Sequence, residues 1–387
     1  MENVEVIKPQ PRTLDRVHGE YAGMSAAERE NKARAKLQER INKGRENAVA
    51  ALARVEREVP VDAVVRATAL KVWANADGKF KLGQIGDAAG HLGDFHEHAL
   101  GQVAERAGFP RKYLGELRGT DWGRDLVGRN LSELLAHQDD DAKFLVRRVD
   151  GVVRGVLGRN YRTDDSRPAL QAIMEVARVA GAVMIDGYAL DTRCSFRIVK
   201  PEPIEVFPGE WAIIGADYRT SDYGNGGREL RGFIERLLCL NGASVTAQFR
   251  RVHIGAQLDE TTFSNRTRKL NEDFTRSAMT DAAKALLGAD AIKGMIERVR
   301  EANATELDAD KALASLRKVV GKAEEKLIVD KYNSPDVEML PPGNTAWRFS
   351  NAISWLANQD GMDADRKLDL QVLAGSFVGG AGEKQAA

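Results

Sequence analysis

AVMIDGYALDTRCSFRIV, residues 182–199, constrains the fold more than any other stretch. Tyr188, Leu190, Thr192, Cys194, Phe196 and Ile198 alternate with Ala189, Asp191, Arg193, Ser195 and Arg197. Successive side chains of a strand point to opposite faces. This period of two therefore predicts a β-strand buried on one face and wet on the other. Asp186-Gly187 just before it predicts a hairpin turn. Cys194 falls on the apolar face and reads as a small packing residue rather than a nucleophile.

Further strand signals surround this one. KFLVRRVDGVVRGVL, 143–157, joins two apolar runs through Asp150-Gly151, a second hairpin signal. Asp165 to Ala180 reads as a helix with Leu170, Ile173, Met174 and Ala177 on one face. WAIIGADYR, 211–219, reads as a strand and SDYGNGG, 221–227, as a loop. Leu230, Ile234, Leu237, Leu238 and Asn241 fall at helical spacing. They predict an amphipathic helix stopped by Asn241-Gly242, with Arg231 and Glu235 paired on its exposed side. SVTAQFRRVHIG, 244–255, reads as a strand whose apolar phase slips, which places a bulge at Arg250-Arg251. The expected fold class is α+β: a twisted antiparallel sheet backed by helices on one face, in the order ββ-α-βββ-α-β. Arg147, Arg154, Arg193, Arg197 and Arg219 are the candidates for its open face.

Around this core, 143–255, the chain divides further. Residues 1–60 read as a helical N-terminal extension, irregular up to about residue 25 and then a helix to about Val59 begun by a Ser25–Glu28 capping box. Its thin stripe of Leu37, Ile41, Leu52 and Val55 suits a solvated helix or a dimerising coil. Residues 61–142 read as a small helical region. Within it, Gly108-Phe109-Pro110 separates two short helices that either pack as a hairpin or read DNA. Residues 256–375 read as helical, closing on an amphipathic helix that buries Trp347, Ile353 and Leu356. Residues 376–387 read as a disordered tail, small and polar after Gly379.

Composition bounds the function. Lys+Arg and Asp+Glu both number 57, so net charge is zero and any nucleic-acid site must be a local patch. The 2 cysteines lie far apart. That excludes a disulfide scaffold and a cysteine-rich zinc site, and it fits a reducing cytoplasm. The chain shows no apolar leader and no run long enough to span a membrane. No G-x-x-x-x-G-K-[ST], G-x-S-x-G or H-E-x-x-H occurs, so no enzyme activity, cofactor or metal is expected. His96 and His98 do not share a helix face, and Asp139-Asp140-Asp141 reads as a solvated loop. Gly224-Asn225-Gly226-Gly227 beside Arg228 is either a plain connection or a phosphate cradle.

The basic sheet face is the leading functional feature. Arg193, Arg197, Arg228, Arg250 and Arg251 would contact phosphates and Tyr161 would stack a base, giving a protein that binds single-stranded DNA. The alternative is a non-enzymatic assembly or host-factor-binding protein, a homo-oligomer built through helical arms at 25–60 and 256–330.

Three segments carry a resemblance. Arg236-Leu-Leu-Cys239-Leu-Asn241-Gly242 looks like an R-x-x-C-x-N-G signature. Leu157-Gly-Arg-Asn-Tyr161, with the acidic turn and helix after it, is similar to a strand-Tyr-helix entry. Asn344-Thr-Ala-Trp347 with Asn351-Ala352 resembles a T-x-W-x-x-x-N-A segment. Their order resembles that of the phage/plasmid-like protein family, described as domain of unknown function 932. The resemblance implies a phage, prophage or plasmid setting rather than a mechanism. It makes Arg236, Cys239, Asn241, Gly242, Trp347 and Asn351 the family-motif residues. By fold-level analogy, a sheet backed by helices also looks like the core of single-strand annealing proteins, which implies a recombination accessory role.

Overall fold

The computed structural model describes residues 21–85, 90–159, 161, 165–237, 242–251, 265–334 and 340–378. The fold is α+β, organised by two mostly antiparallel sheets. Helix α1 (Ala26–Arg57) opens on the expected capping box: the Glu28 amide donates to Ser25 Oγ, and the Ser25 amide donates to the Glu28 carboxylate.

Next come β1 (Val61–Arg66), β2 (Leu70–Ala74), β3 (Phe80–Gln84), β4 (His91–Phe95), α2 (Glu97–Arg106), α3 (Arg111–Leu117) and α4 (Asp121–Ala136). They lead into β5 (Lys143–Val149) and β6 (Val152–Gly158). These strands form one sheet in the order β1-β5-β6-β4-β3-β2, antiparallel except between β4 and β6. Residues 61–142 are therefore not simply helical. Strands of five or six residues are too short for their periodicity to stand out beside the longer helices. The Asp150-Gly151 turn is as expected, with φ of 49° and 77° at its two residues, the left-handed pair that a tight hairpin requires.

Helix α5 (Ser166–Val179) also matches expectation and leads to the second sheet: β7 (Val183–Ala189), β8 (Cys194–Val199), β9 (Ile204–Phe207), β10 (Glu210–Thr220), β11 (Arg228–Arg236) and β12 (Gly242–Arg251). Its order is β12-β11-β10-β8-β7, with β9 on β10. Three expectations fail here. Asp186-Gly187 is not a turn but the middle of β7, and the chain reverses at 190–193, where the Leu190 amide donates to the Arg193 carbonyl at 2.8 Å. Gly187 marks a close approach instead: a Cβ there would lie 2.9 Å from Ala48 Cα of α1. Gly44 is the reciprocal contact, since its Cβ would sit 1.7 Å from the Ile185 carbonyl oxygen.

Second, residues 228–236 are a strand, not the amphipathic helix. Both faces of β11 are buried, so the two-residue alternation is lost and the apolar residues fall by coincidence at helical spacing. Third, the β12 bulges come earlier than Arg250-Arg251. Leu230 faces Phe249, Arg231 faces Ala247 and Gly232 faces Val245, which leaves Gln248 and Thr246 as the extra residues. The core order is thus ββ-α followed by six strands, divided between two sheets.

The chain continues through α6 (Asn265–Leu287), α7 (Ala289–Ala304), α8 (Ala309–Leu316), α9 (Lys322–Asn333), α10 (Ala346–Ala357) and α11 (Ala364–Ser376). Helices α5 and α6 pack on the face carrying Phe196, Ile198, Tyr218 and Leu230. Trp347, Ile353 and Leu356 of α10 are buried as expected, with Ile214 and Ile234. The opposite face, expected to be open, carries α1: Ala33 and Leu37 pack with Ile185, Trp211, Ile213 and Phe233. So α1 is an integral layer rather than a solvated strut. Among the described residues, no helix is long and apolar enough to cross a membrane.

Candidate functional site

The sheet face that carries Arg193, Arg197, Arg219 and Arg231 decides where a ligand can reach. Its inner half is sealed. Arg197 is 2% exposed, donates to Gln371 of α11, and lies over the Phe233 ring with its guanidinium 4.9 Å from the centroid. It faces Asp186 at 3.7 Å. Arg40 of α1 enters the same layer. Its Nε donates to Glu235 at 2.6 Å, and its Nη atoms to the Ile185 carbonyl at 2.9 Å and to Asp186 at 3.1 Å. Burial opposes the charge on Arg40, but Glu235 and Asp186 outweigh it and raise the guanidinium pKa. Lys367 of α11 sits 5.8 Å from the Tyr188 ring centroid, and burial together with nearby Arg197 lowers its pKa. These cations are committed to the fold.

The outer half opens into a cleft of about 320 Å³ between α11 and the 221–227 loop. Arg193, Arg219 and Arg231 line it, with side chains 30%, 12% and 17% exposed. Each is held in place. Arg193 donates to Asn225 Oδ1 at 2.9 Å and to Asp365 at 3.3 Å. Arg219 donates to Asp217 at 2.8 Å and to the Leu368 carbonyl at 3.0 Å, and Arg231 donates to Glu229 at 2.8 Å. Gly226 and Gly227 border one side, and Leu368 and Val372 of α11 form an apolar wall. A wall of this kind suits a base or ring, and the guanidiniums suit an anion.

The other predicted contact residues go elsewhere. Arg228 is fully buried on the opposite face, where it donates to the Asp165 carbonyl at 3.0 Å. Tyr161 donates to the Ser221 carbonyl at 3.4 Å, and burial and nearby Asp222 push its hydroxyl up. Arg250 and Arg251 stand on β12 opposite Glu229 and Arg228; their side chains lie outside the described set. Of the predicted set, Arg193 alone among the described side chains lines the cleft. Arg147 and Arg154 are buried against Asp62, Asp165 and Glu58.

Beside Tyr161 lies a buried polar centre. Arg147 donates to the Asp222 carbonyl at 2.7 Å and to Asp165 at 2.8 Å, and Ser166 Oγ donates to Asp222 Oδ2 at 2.9 Å. Burial, with Asp165 nearby, raises the Asp222 carboxyl pKa, and burial pushes the Cys194 thiol up as well. A protonated thiol suits the packing role of Cys194. The family-motif residues form another cluster. Arg236 donates through two nitrogens to Glu210, Trp347 Nε1 donates to the same carboxylate at 3.2 Å, and Asn351 donates to the Trp347 carbonyl at 2.8 Å. Gly242 begins β12, while Cys239 and Asn241 lie outside the described residues. Two of the three motif segments therefore meet at one carboxylate, which the sequence spacing did not suggest.

Sequence reasoning missed Arg231, which it had placed on a helix, and missed the cover supplied by α11. The signal for the cover was Gln371 and Lys367, on a helix whose other side buries Leu370 and Leu373. Among the described residues no group of His, Cys, Asp and Glu could hold a metal ion. No protein-family model, curated protein or solved structure matches the chain.

Proposed function

We propose that the protein binds single-stranded DNA at the cleft between α11 and the 221–227 loop. The phage, prophage or plasmid setting follows the sequence resemblance, and the strand-annealing accessory role follows the fold-level analogy alone. The observation that carries the reading is the convergence of three partly exposed arginines on a cleft with an apolar wall. Arginine offers phosphate a bidentate donor fork, and an apolar wall accepts any base without reading it. With zero net charge overall, such a local cluster is the kind of patch that this reading requires.

The test is fluorescence anisotropy with a labelled single-stranded oligonucleotide at low and high salt, with a duplex as control. The wild-type chain is expected to prefer the single strand and to lose affinity as salt rises. Reversing Arg193 and Arg231 to Glu is expected to lower affinity by about tenfold or more and to flatten the log–log salt slope by about 1.4, the yield of two lost phosphate contacts. Absence of binding at low salt, or a double variant that binds like wild type, overturns the reading.

A further inference from the structure

On the other face of the second sheet, α5 and α6 run side by side and leave a groove of about 660 Å³ between them. The size falls within the range of small-molecule sites, roughly 300–1,000 Å³. Helix α5 contributes Gln171, Glu175 and Val179 at i, i+4 and i+8. Helix α6 contributes Arg276, Thr280 and Lys284 at the same spacing. One side of each helix therefore forms a rim of the groove. The floor is apolar: Ala172 and Val176 from α5 and Leu287 from α6, all buried. Val179 stands on one wall, 73% exposed, although it is a branched aliphatic side chain.

The charge on the two rims is unequal. On α5, Glu175 is already taken, since it accepts from Arg178 on its own helix at 2.7 Å. On α6, Arg276 and Lys284 are exposed and neither pairs with a carboxylate among the described residues. Thr280 turns its hydroxyl back to the Arg276 carbonyl at 2.9 Å and offers little to a neutral head group. An apolar floor with two uncommitted cations along one rim complements an apolar chain that ends in a single anion. It is a poor match for a polyanion, which would lay charge along the floor.

We infer that the α5–α6 groove binds an aliphatic carboxylate, its chain on Ala172, Val176 and Leu287 and its head group between Arg276 and Lys284. The inference is independent of the nucleic-acid reading, because the groove and the cleft lie on opposite faces of the sheet.

The experiment is isothermal titration of the full chain with decanoate, below its micellar concentration, and with decanol as the uncharged match. One saturable decanoate site is expected. Decanol, and decanoate with the R276E/K284E variant, should each bind about tenfold more weakly, the effect of losing one favourable head-group contact of about 1.4 kcal/mol. Decanol should not distinguish R276E/K284E from wild type, and V179D should weaken both ligands. All three positions are exposed, so the variants should melt like wild type. Three outcomes overturn the proposal: no saturable decanoate binding, decanol as tight as decanoate, or decanoate affinity unchanged in R276E/K284E. Saturable binding of an acidic amphipathic peptide without any of decanoate also overturns it and assigns the groove to a protein partner.

Discussion

Arg193 and Arg197 lie four residues apart on one side of the same chain segment, and the structure treats them oppositely. Arg197 lies beneath α11, almost wholly buried and matched to Asp186 and Gln371. Arg193 reaches a cleft with nearly a third of its side chain exposed. The two halves of one sheet face thus use the same residue type for different ends. The covered half uses arginine to satisfy buried carboxylates; in the open half Arg219 still does so against Asp217, while Arg193 and Arg231 keep part of their side chains exposed. A row of arginines on a strand is consequently no measure of a binding surface until the layer above it is known.

The covered half can be broken most severely at Arg40. Replacing it with Ala leaves Glu235 without its bidentate partner and takes from Asp186 the closer of its two guanidinium partners, both inside the protein. Removing one member of a buried ion pair costs about 3–5 kcal/mol. The urea midpoint of R40A should fall accordingly, with the slope of the transition unchanged. The R193E variant should lose less than about 1 kcal/mol, because Arg193 and its partner Asp365 are each about one-third exposed. Equal losses in the two variants would erase the distinction between the halves.

The same distinction explains what the sequence allowed to be read. The α+β class, the Asp150-Gly151 hairpin, α5, β10 and α10 were all legible, because each has a strong local signal: a turn dipeptide, a helical face or a two-residue alternation. β11 was not, because a strand buried on both faces carries Arg228, Glu235 and Arg236 as interior ion-pair and hydrogen-bond partners. Charged residues at those positions imitate the wet side of a helix. Gly187 misled for a related reason. Its lack of a side chain answers to α1, which begins about 160 residues earlier, and no local pattern encodes that contact. Half of the candidate site was legible in the same sense. Arg193, Arg219 and the 221–227 loop could be named in advance, whereas the wall from α11 depends wholly on tertiary packing.

A second contrast lies within a single small cavity. Glu58 and Asp222 both line a space of about 40 Å³, and their environments move them in opposite directions. Burial works against the Glu58 carboxylate, but hydrogen bonds from Arg154 and Arg54 outweigh it and hold the pKa below its ordinary 4.5. For Asp222 burial prevails, helped by Asp165, and the pKa rises above 3.8. The signs of their pH dependence must differ. The contribution of Glu58 is present above about pH 4.5 and is lost as pH falls through its lower folded value. The contribution of Asp222 is complete below about pH 3.8 and is lost as pH rises through its higher folded value. E58Q should therefore destabilise by about 2 kcal/mol at neutral pH, the worth of charge-assisted hydrogen bonds, with the deficit closing in acid. D222N should gain on wild type as pH rises. Parallel pH profiles for the two variants would show that the cavity does not separate the carboxylates.

The smallest expected effect tests the boundary between the halves. Asp365, in the first turn of α11, holds Arg193 at 3.3 Å, and both side chains are about one-third exposed. An ion pair this wet is worth only about 0.5 kcal/mol. D365A should therefore leave stability nearly unchanged, apart from a few tenths lost at the helix N-terminus. It should also free the Arg193 guanidinium for phosphate, tightening single-strand binding about two- to threefold. Q371A, two turns further along α11, removes the hydrogen bond to Arg197 instead. Because Arg197 stays beneath the helix, that substitution should not change affinity, only stability. If Q371A tightens binding as much as D365A, then α11 lifts off as a unit and the sealed half is a ligand surface under a removable cover. If only D365A does, the boundary is fixed and the binding surface ends where Leu368 meets Arg219.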